Sequence, residues 1–81
     1  MSRTLQSPRH EALRALLVMH RKAAGLTQVQ VAAALSRPQS YVATVERGQR
    51  HVDVVTLLDF AEVIGFDPTS ALAVMLAQPR A

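Results

Sequence analysis

The sequence predicts an all-α fold, a compact bundle of five helices, on three observations. Apolar residues recur at helical spacing along most of the chain. Cap residues open these segments and glycines close them. Finally, 49% of the 81 residues are apolar, enough for one small domain to build a core without staples.

The first helix starts at Ser7-Pro8, an N-cap followed by proline at the first helical position, where its missing N–H costs nothing. Leu13, Leu16, Leu17, His20 and Ala24 fall on one face, and Gly25 supplies the left-handed residue that ends the helix. Thr27 opens the second helix, with Gln30 completing a Thr-x-x-Gln capping box and Val31, Ala32 and Leu35 pointing inward. Ser36-Arg37-Pro38 forms the turn. The third helix runs from about Gln39 to Glu46 or Arg47, with Val42 and Val45 inward and Gly48 as its stop. Asp53 caps the fourth, whose core stripe is Val54, Leu57, Phe60, Ala61 and Ile64, with Gly65 ending it. Asp67-Pro68 starts the fifth, over about residues 68–77. The expected organisation is a flexible tail over residues 1–7 and a single domain over 8–78.

Several function classes drop out. The chain has no cysteine, which removes disulfides and thiolate metal sites. The longest apolar run, residues 71–77, is far too short to span a bilayer. The N-terminal residues lack the hydrophobic segment of a signal peptide, so the expectation is a soluble cytoplasmic protein. His10 and His20 do not have the i, i+4 spacing of a helical metal pair, and His51 lies in a different element. His20 reads as a half-buried core residue. No nucleophile–base order and no glycine-rich phosphate loop is present. Neither an enzyme, a metal nor a cofactor is expected.

The charge is unevenly spread. Residues 1–52 hold eight Lys/Arg against two acids, a balance of +6. Residues 53–81 hold Arg80 against Asp53, Asp59, Glu62 and Asp67, a balance of −3. Positive charge gathered on one part of a protein suits a polyanion, although charge alone is equally consistent with a solvated surface.

The basic half contains two short helices joined by a tight turn, over about residues 27–47. That is the layout of a helix-turn-helix, whose second helix enters the DNA major groove. Gln39 and Ser40 open this second helix, where side chains meet base edges. Glutamine can bond adenine through N6 and N7 as a bidentate pair. Thr44 lies one turn later on the same face, with a methyl suited to thymine. Gln28, at the start of the preceding helix, is placed for a phosphate beside free backbone N–H groups. Arg47, Arg50 and His51 follow the second helix and flank the groove. Arg37, in the turn, is in reach of either strand's backbone. Tyr41 has two readings, packing on backbone sugar or covering the turn.

The pattern Leu26-Thr27-Gln28-x-x-Val31-Ala32-x-x-Leu35-x-x-Pro38-Gln39-Ser40-Tyr41-Val42-x-x-x-Glu46-Arg47-Gly48, followed by Asp53-Val54-Val55-x-Leu57-Leu58 and Ile64-Gly65-Phe66-Asp67-Pro68, resembles the Cro/C1-type, or XRE-type, helix-turn-helix family. The match covers about residues 12–70. The family includes phage repressors, restriction–modification controller proteins and many antitoxins. The resemblance implies a lambda-repressor-like five-helix domain that binds double-stranded operator DNA, usually as a two-fold dimer. It implies a phosphate contact for Gln28 and base-reading positions at Gln39, Ser40 and Thr44. It also implies that Arg21 and Glu46 pair to tie the first helix to the end of the third, as a partly exposed ion pair that orients more than it stabilises. The chain departs from the family in the turn. Ser36 stands where glycine is usual, because the backbone there is left-handed, and Arg37 stands where an apolar residue is common.

The fifth helix has no polar residue from Ala71 to Ala77. Together with Val55 and Leu58, off the inward stripe of the fourth helix, Leu72, Met75 and Leu76 offer more apolar surface than a small core covers. The expected use is a homodimer interface; the alternative is an alanine-rich terminal helix that exposes a few methyl groups. The expected function is a sequence-specific, homodimeric and autoregulatory transcriptional regulator. The alternative is an antitoxin or antiactivator that binds a protein partner at the fifth helix, with DNA secondary.

Overall fold

Four helices begin where a side chain can satisfy their first free N–H groups. The computed structural model describes residues 7–80, and among them five helices and no strand. The expected tail over residues 1–7 lies, apart from Ser7, outside the described residues. Helix α1 spans Pro8–Ala23, α2 Gln28–Ala34, α3 Gln39–Glu46, α4 Val54–Ile64 and α5 Pro68–Leu76. Ser7 accepts from the His10 N–H at 3.1 Å. Thr27 and Gln30 make a reciprocal capping box, at 3.1 and 2.9 Å. Asp53 accepts from the Thr56 N–H at 2.7 Å, and Asp67 from the Thr69 N–H at 2.9 Å. Helix α3 is the exception: its N-cap is Pro38, which makes no side-chain cap.

Four helix ends close in the same way. The first or second residue past the helix turns left-handed, and the next N–H reaches back to a carbonyl five residues earlier. Leu26 bonds Arg21 O, Arg37 bonds Ala32 O, Gln49 bonds Thr44 O and Phe66 bonds Ala61 O, all within 3.1 Å. Glycine fills the left-handed position at three of them, and Ser36, with φ of 57°, fills the fourth. Ser36 therefore takes the backbone that the turn demands at the cost of crowding its own Cβ.

The core is the meeting of these helices' apolar faces. Leu13, Leu16 and Leu17 of α1 pack with Val31 and Ala32 of α2, Val42 and Val45 of α3, Leu57, Phe60 and Ile64 of α4, and Ala71 of α5. Helix α2 packs most extensively on α3, and α1 on α5. The α1–α5 contact is close because Ala71, fully buried, has only a methyl to fit. Three positions differ from expectation. Val54 is 65% exposed, because it opens α4, before the first turn reaches the core. Ala24 is exposed, because it serves as the C-cap of α1 and not as part of its inner face. His10, off the expected stripe, is buried one turn before Leu13. His20 is half-buried, stacked on Phe66 with ring centroids 4.3 Å apart. Among the described residues, no helix is long and apolar enough to cross a membrane.

Candidate nucleic-acid interface

Helix α3 shows two faces because Val42 and Val45, three residues apart, fall on one side of it. Val42 and Val45 are buried, while Gln39 and Ser40 project to solvent. Thr44 is half-buried. Its hydroxyl donates to the Tyr41 carbonyl at 2.8 Å and accepts from Arg50 Nε at 3.1 Å. The hydroxyl is thus occupied within the protein, which leaves the methyl as the group Thr44 has free.

A chain of side chains runs from α1 to the first residue of α3. Arg21 Nε donates to Glu46 Oε2 at 2.6 Å, and Arg21 Nη2 to Glu46 Oε1 at 3.0 Å. The same Glu46 Oε1 accepts from the Gln28 amide at 2.8 Å. Gln28 in turn accepts from the Gln39 amide at 2.7 Å. Arg21 also donates to the Leu26 carbonyl at 2.9 Å, so its fork is spent on both sides. The Glu46 hydrogen bond holds the Arg21 guanidinium above its ordinary pKa, against the opposing effect of burial. The Arg21–Glu46 pair differs from the expectation of partial exposure: Glu46 keeps 7% of its side chain exposed and Arg21 11%. A charge taken this far from water tolerates the loss of its partner badly.

Arg14 is a residue that the sequence did not single out. Its Nη1 donates to the Glu46 carbonyl at 3.2 Å, at the C-terminus of α3, and it pairs with Glu11 on its other side. The Glu11 hydrogen bond lowers the Glu11 carboxyl below, and raises the Arg14 guanidinium above, their usual pKa values. Its aliphatic stem lies under Gly48, where an added Cβ would sit 3.3 Å from Arg14 Cδ. The signal was available: Arg14 precedes Arg21 by two helical turns, so both reach from one face of α1 toward the same neighbour.

Basic side chains surround α3. Arg37, Arg47, Arg50 and His51 are exposed. Arg47 reaches Gln49 at 3.3 Å, and the His51 ring faces that of His10 at 6.3 Å. Arg37 and Arg50 both lie against the half-buried Tyr41 ring. Among the described residues, none of Arg37, Arg47 and Arg50 forms an ion pair. Well away from α3 in sequence, Val55 is 67% exposed, Leu58 43%, Leu72 43% and Leu76 71%, whereas Met75 is half-buried against the core.

Comparison with known proteins agrees with this architecture. A helix-turn-helix domain model matches residues 12–73. The solved structure of an XRE-family like protein from Pseudomonas syringae pv. tomato str. DC3000 is 43% identical, with a TM-score of 0.82 over 93% of this chain and 92% of that one. The restriction-modification controller protein C.AhdI from Aeromonas hydrophila is 34% identical, with a TM-score of 0.70 over 76% of this chain and 94% of that one. An uncharacterized HTH-type transcriptional regulator, y4dJ of Sinorhizobium fredii, is 40% identical over 45 residues, 56% of this chain and 58% of that protein. The chain thus matches little more than half the length of this last relative. With a family match across most of the chain, five helices in place and a solvent-facing α3, the chain belongs to the XRE-type family of DNA-binding helix-turn-helix domains.

Proposed function

We propose that the chain is a cytoplasmic, sequence-specific transcriptional regulator that binds a two-fold operator as a homodimer and controls its own gene. The observation that carries this reading is the hydrogen-bonded line Arg21–Glu46–Gln28–Gln39. It fixes the exposed start of α3 relative to the body of the domain. Gln39 and Ser40 then meet base edges, Thr44 offers a methyl, and Gln28 faces the phosphate beside the start of α2. Arg37, Arg47, Arg50 and His51 lie around the groove's backbone.

Dimerisation is supported by the apolar side chains that α4 and α5 leave in water: Val55, Leu58, Leu72 and Leu76, with Met75 at the edge. A two-fold pairing through them would set two recognition helices into successive major grooves, roughly 34 Å apart. The same surface would suit a protein partner of a different sequence, as in an antitoxin or antiactivator.

The test is binding to DNA from upstream of the chain's own gene, against scrambled DNA of equal length, at two salt concentrations. Sequence-dependent binding that saturates at two protomers per site supports the regulator. Equal binding to both DNAs that vanishes with salt leaves only charge attraction and rejects it.

A further inference from the structure

We propose that Arg37, Tyr41 and Arg50 form a phosphate clamp, in which the Tyr41 ring holds two guanidiniums against neighbouring phosphates of one DNA strand. The clamp presupposes the DNA-binding role proposed above and assigns Tyr41 a part in it: a platform for two cations, more than a contact in its own right.

The two arginines come from opposite ends of α3. Arg37 precedes the helix in the turn, and Arg50 follows it in the loop. Both converge on the ring in the helix's first turn. The Arg37 Cζ lies 4.4 Å from the Tyr41 centroid and the Arg50 Cζ 5.1 Å. Such cation–π contacts are favourable, because the ring's negative face attracts each guanidinium.

The ring is itself held. Tyr41 packs against the core, with its ring 6.4 Å from that of Phe60. Arg50 is fixed a second time by its hydrogen bond to Thr44, whose hydroxyl is bound to the Tyr41 carbonyl. Asp59 lines the same shallow pocket as Arg37 and Tyr41, yet no ion pair forms among them. Two guanidiniums gathered on one ring, neither of them ion-paired, repel each other. A phosphate backbone relieves that repulsion and matches the guanidinium fork. The ring also removes rotamer freedom from two long side chains before DNA arrives, which lowers the entropy lost on binding.

The chain has one tyrosine and no tryptophan, so its biosynthetic replacement by fluorotyrosine gives a single fluorine resonance that reports the clamp alone. The probe is a mixed-sequence DNA duplex. The resonance should shift saturably on titration with the duplex, and the shift should vanish in the double variant R37Q/R50Q. In parallel, the slope of log Kd against log salt is compared across variants. Each of R37Q and R50Q should lower its magnitude by about 0.9. Tyr41→Leu should lower it nearly as much as the arginine pair together, although both cations remain, and Tyr41→Phe should restore it. Circular dichroism checks that each variant folds. If Tyr41→Leu does not fold, the resonance in the otherwise unaltered chain decides. A wild-type slope in folded Tyr41→Leu, or a resonance unmoved by bound duplex, overturns the clamp while leaving DNA binding intact. Absence of any salt-dependent binding by the wild type overturns the DNA reading and the clamp together.

Discussion

Gln39 donates its amide to the Gln28 side chain at 2.7 Å, so the first residue of α3 and the first residue of α2 are joined in the free protein. The bond sets the rotamer of Gln39 before any base is present. Gln39→Ala should relax preference at one base step and weaken the best site by about 1–3 kcal/mol. Gln28→Ala should weaken that preference in part, through the lost support. Binding to a panel of single-base operator variants checks both. Uniform loss on every sequence would remove Gln39 from the base-reading set.

Arg21→Met should cost about 3 kcal/mol of stability, because it strands the Glu46 carboxylate in a nearly water-free site. The double variant R21M/E46L should regain most of that stability, since apolar side chains of similar size suit the site. Its operator affinity should stay low, because Gln28 has lost the acceptor that holds it. Urea unfolding and DNA titration separate the two effects. A double variant that binds normally would show that the pair does not orient α3.

Ser36→Gly should stabilise the chain by about 0.5–1 kcal/mol, since glycine accepts a φ of 57° without crowding. Gly48→Ala should have the opposite sign and cost about 1–2 kcal/mol: its φ is 77°, and a Cβ there meets Arg14. Thermal melting of the two variants gives both signs at once.

Acid should weaken the fold through its caps. The Asp53 carboxyl is lowered from its ordinary 3.8, chiefly by the Thr56 backbone N–H, and the Asp67 carboxyl by the Thr69 hydroxyl and N–H. A lowered folded pKa means that the unfolded chain takes up protons first. The stabilisation is therefore complete above the unfolded value of about 4 and disappears as pH falls through the lower folded values. Melting temperature should drop as the pH is taken below 4. D53N/D67N should flatten that limb while changing little at neutral pH, because asparagine caps comparably. An unaltered acid limb would assign the loss to Glu11 or other carboxylates.

Leu72→Glu should halve the mass seen by light scattering and weaken operator binding. Leu72 is a better probe than Met75, which is half-buried against the core, so that a charge there would disturb folding as well as association. An unchanged mass would exclude α5 from the proposed dimer.

What could be read from the sequence was what local chemistry decides. Ser7, Thr27, Asp53 and Asp67 cap helices because their short acceptors reach N–H groups two or three residues on. The left-handed Ser36 was legible because it stands where the family that the chain resembles usually has glycine. Of the tertiary partners, the Arg21–Glu46 pair was legible through the family resemblance. Arg14 shares a face of α1 with Arg21, but its bond to the Glu46 carbonyl, 32 residues away, is set by the packing of α1 on α3. The stacking of Arg37 and Arg50 on Tyr41 needs the turn and the loop to fold back to one ring. Val54 followed the right spacing but sat at the helix's open end, where periodicity no longer implies a neighbour.

The end of α3 is held at three points: Arg21 and Gln28 on the Glu46 carboxylate, and Arg14 on its carbonyl. In the proposed complex, a helix fastened in this way would have little freedom to adjust its angle to a poor site. The adjustment would then fall to the DNA, which would bend or twist to meet it. Stiff and pliable base steps differ in what that costs. Operator choice would then extend to base pairs that no side chain touches.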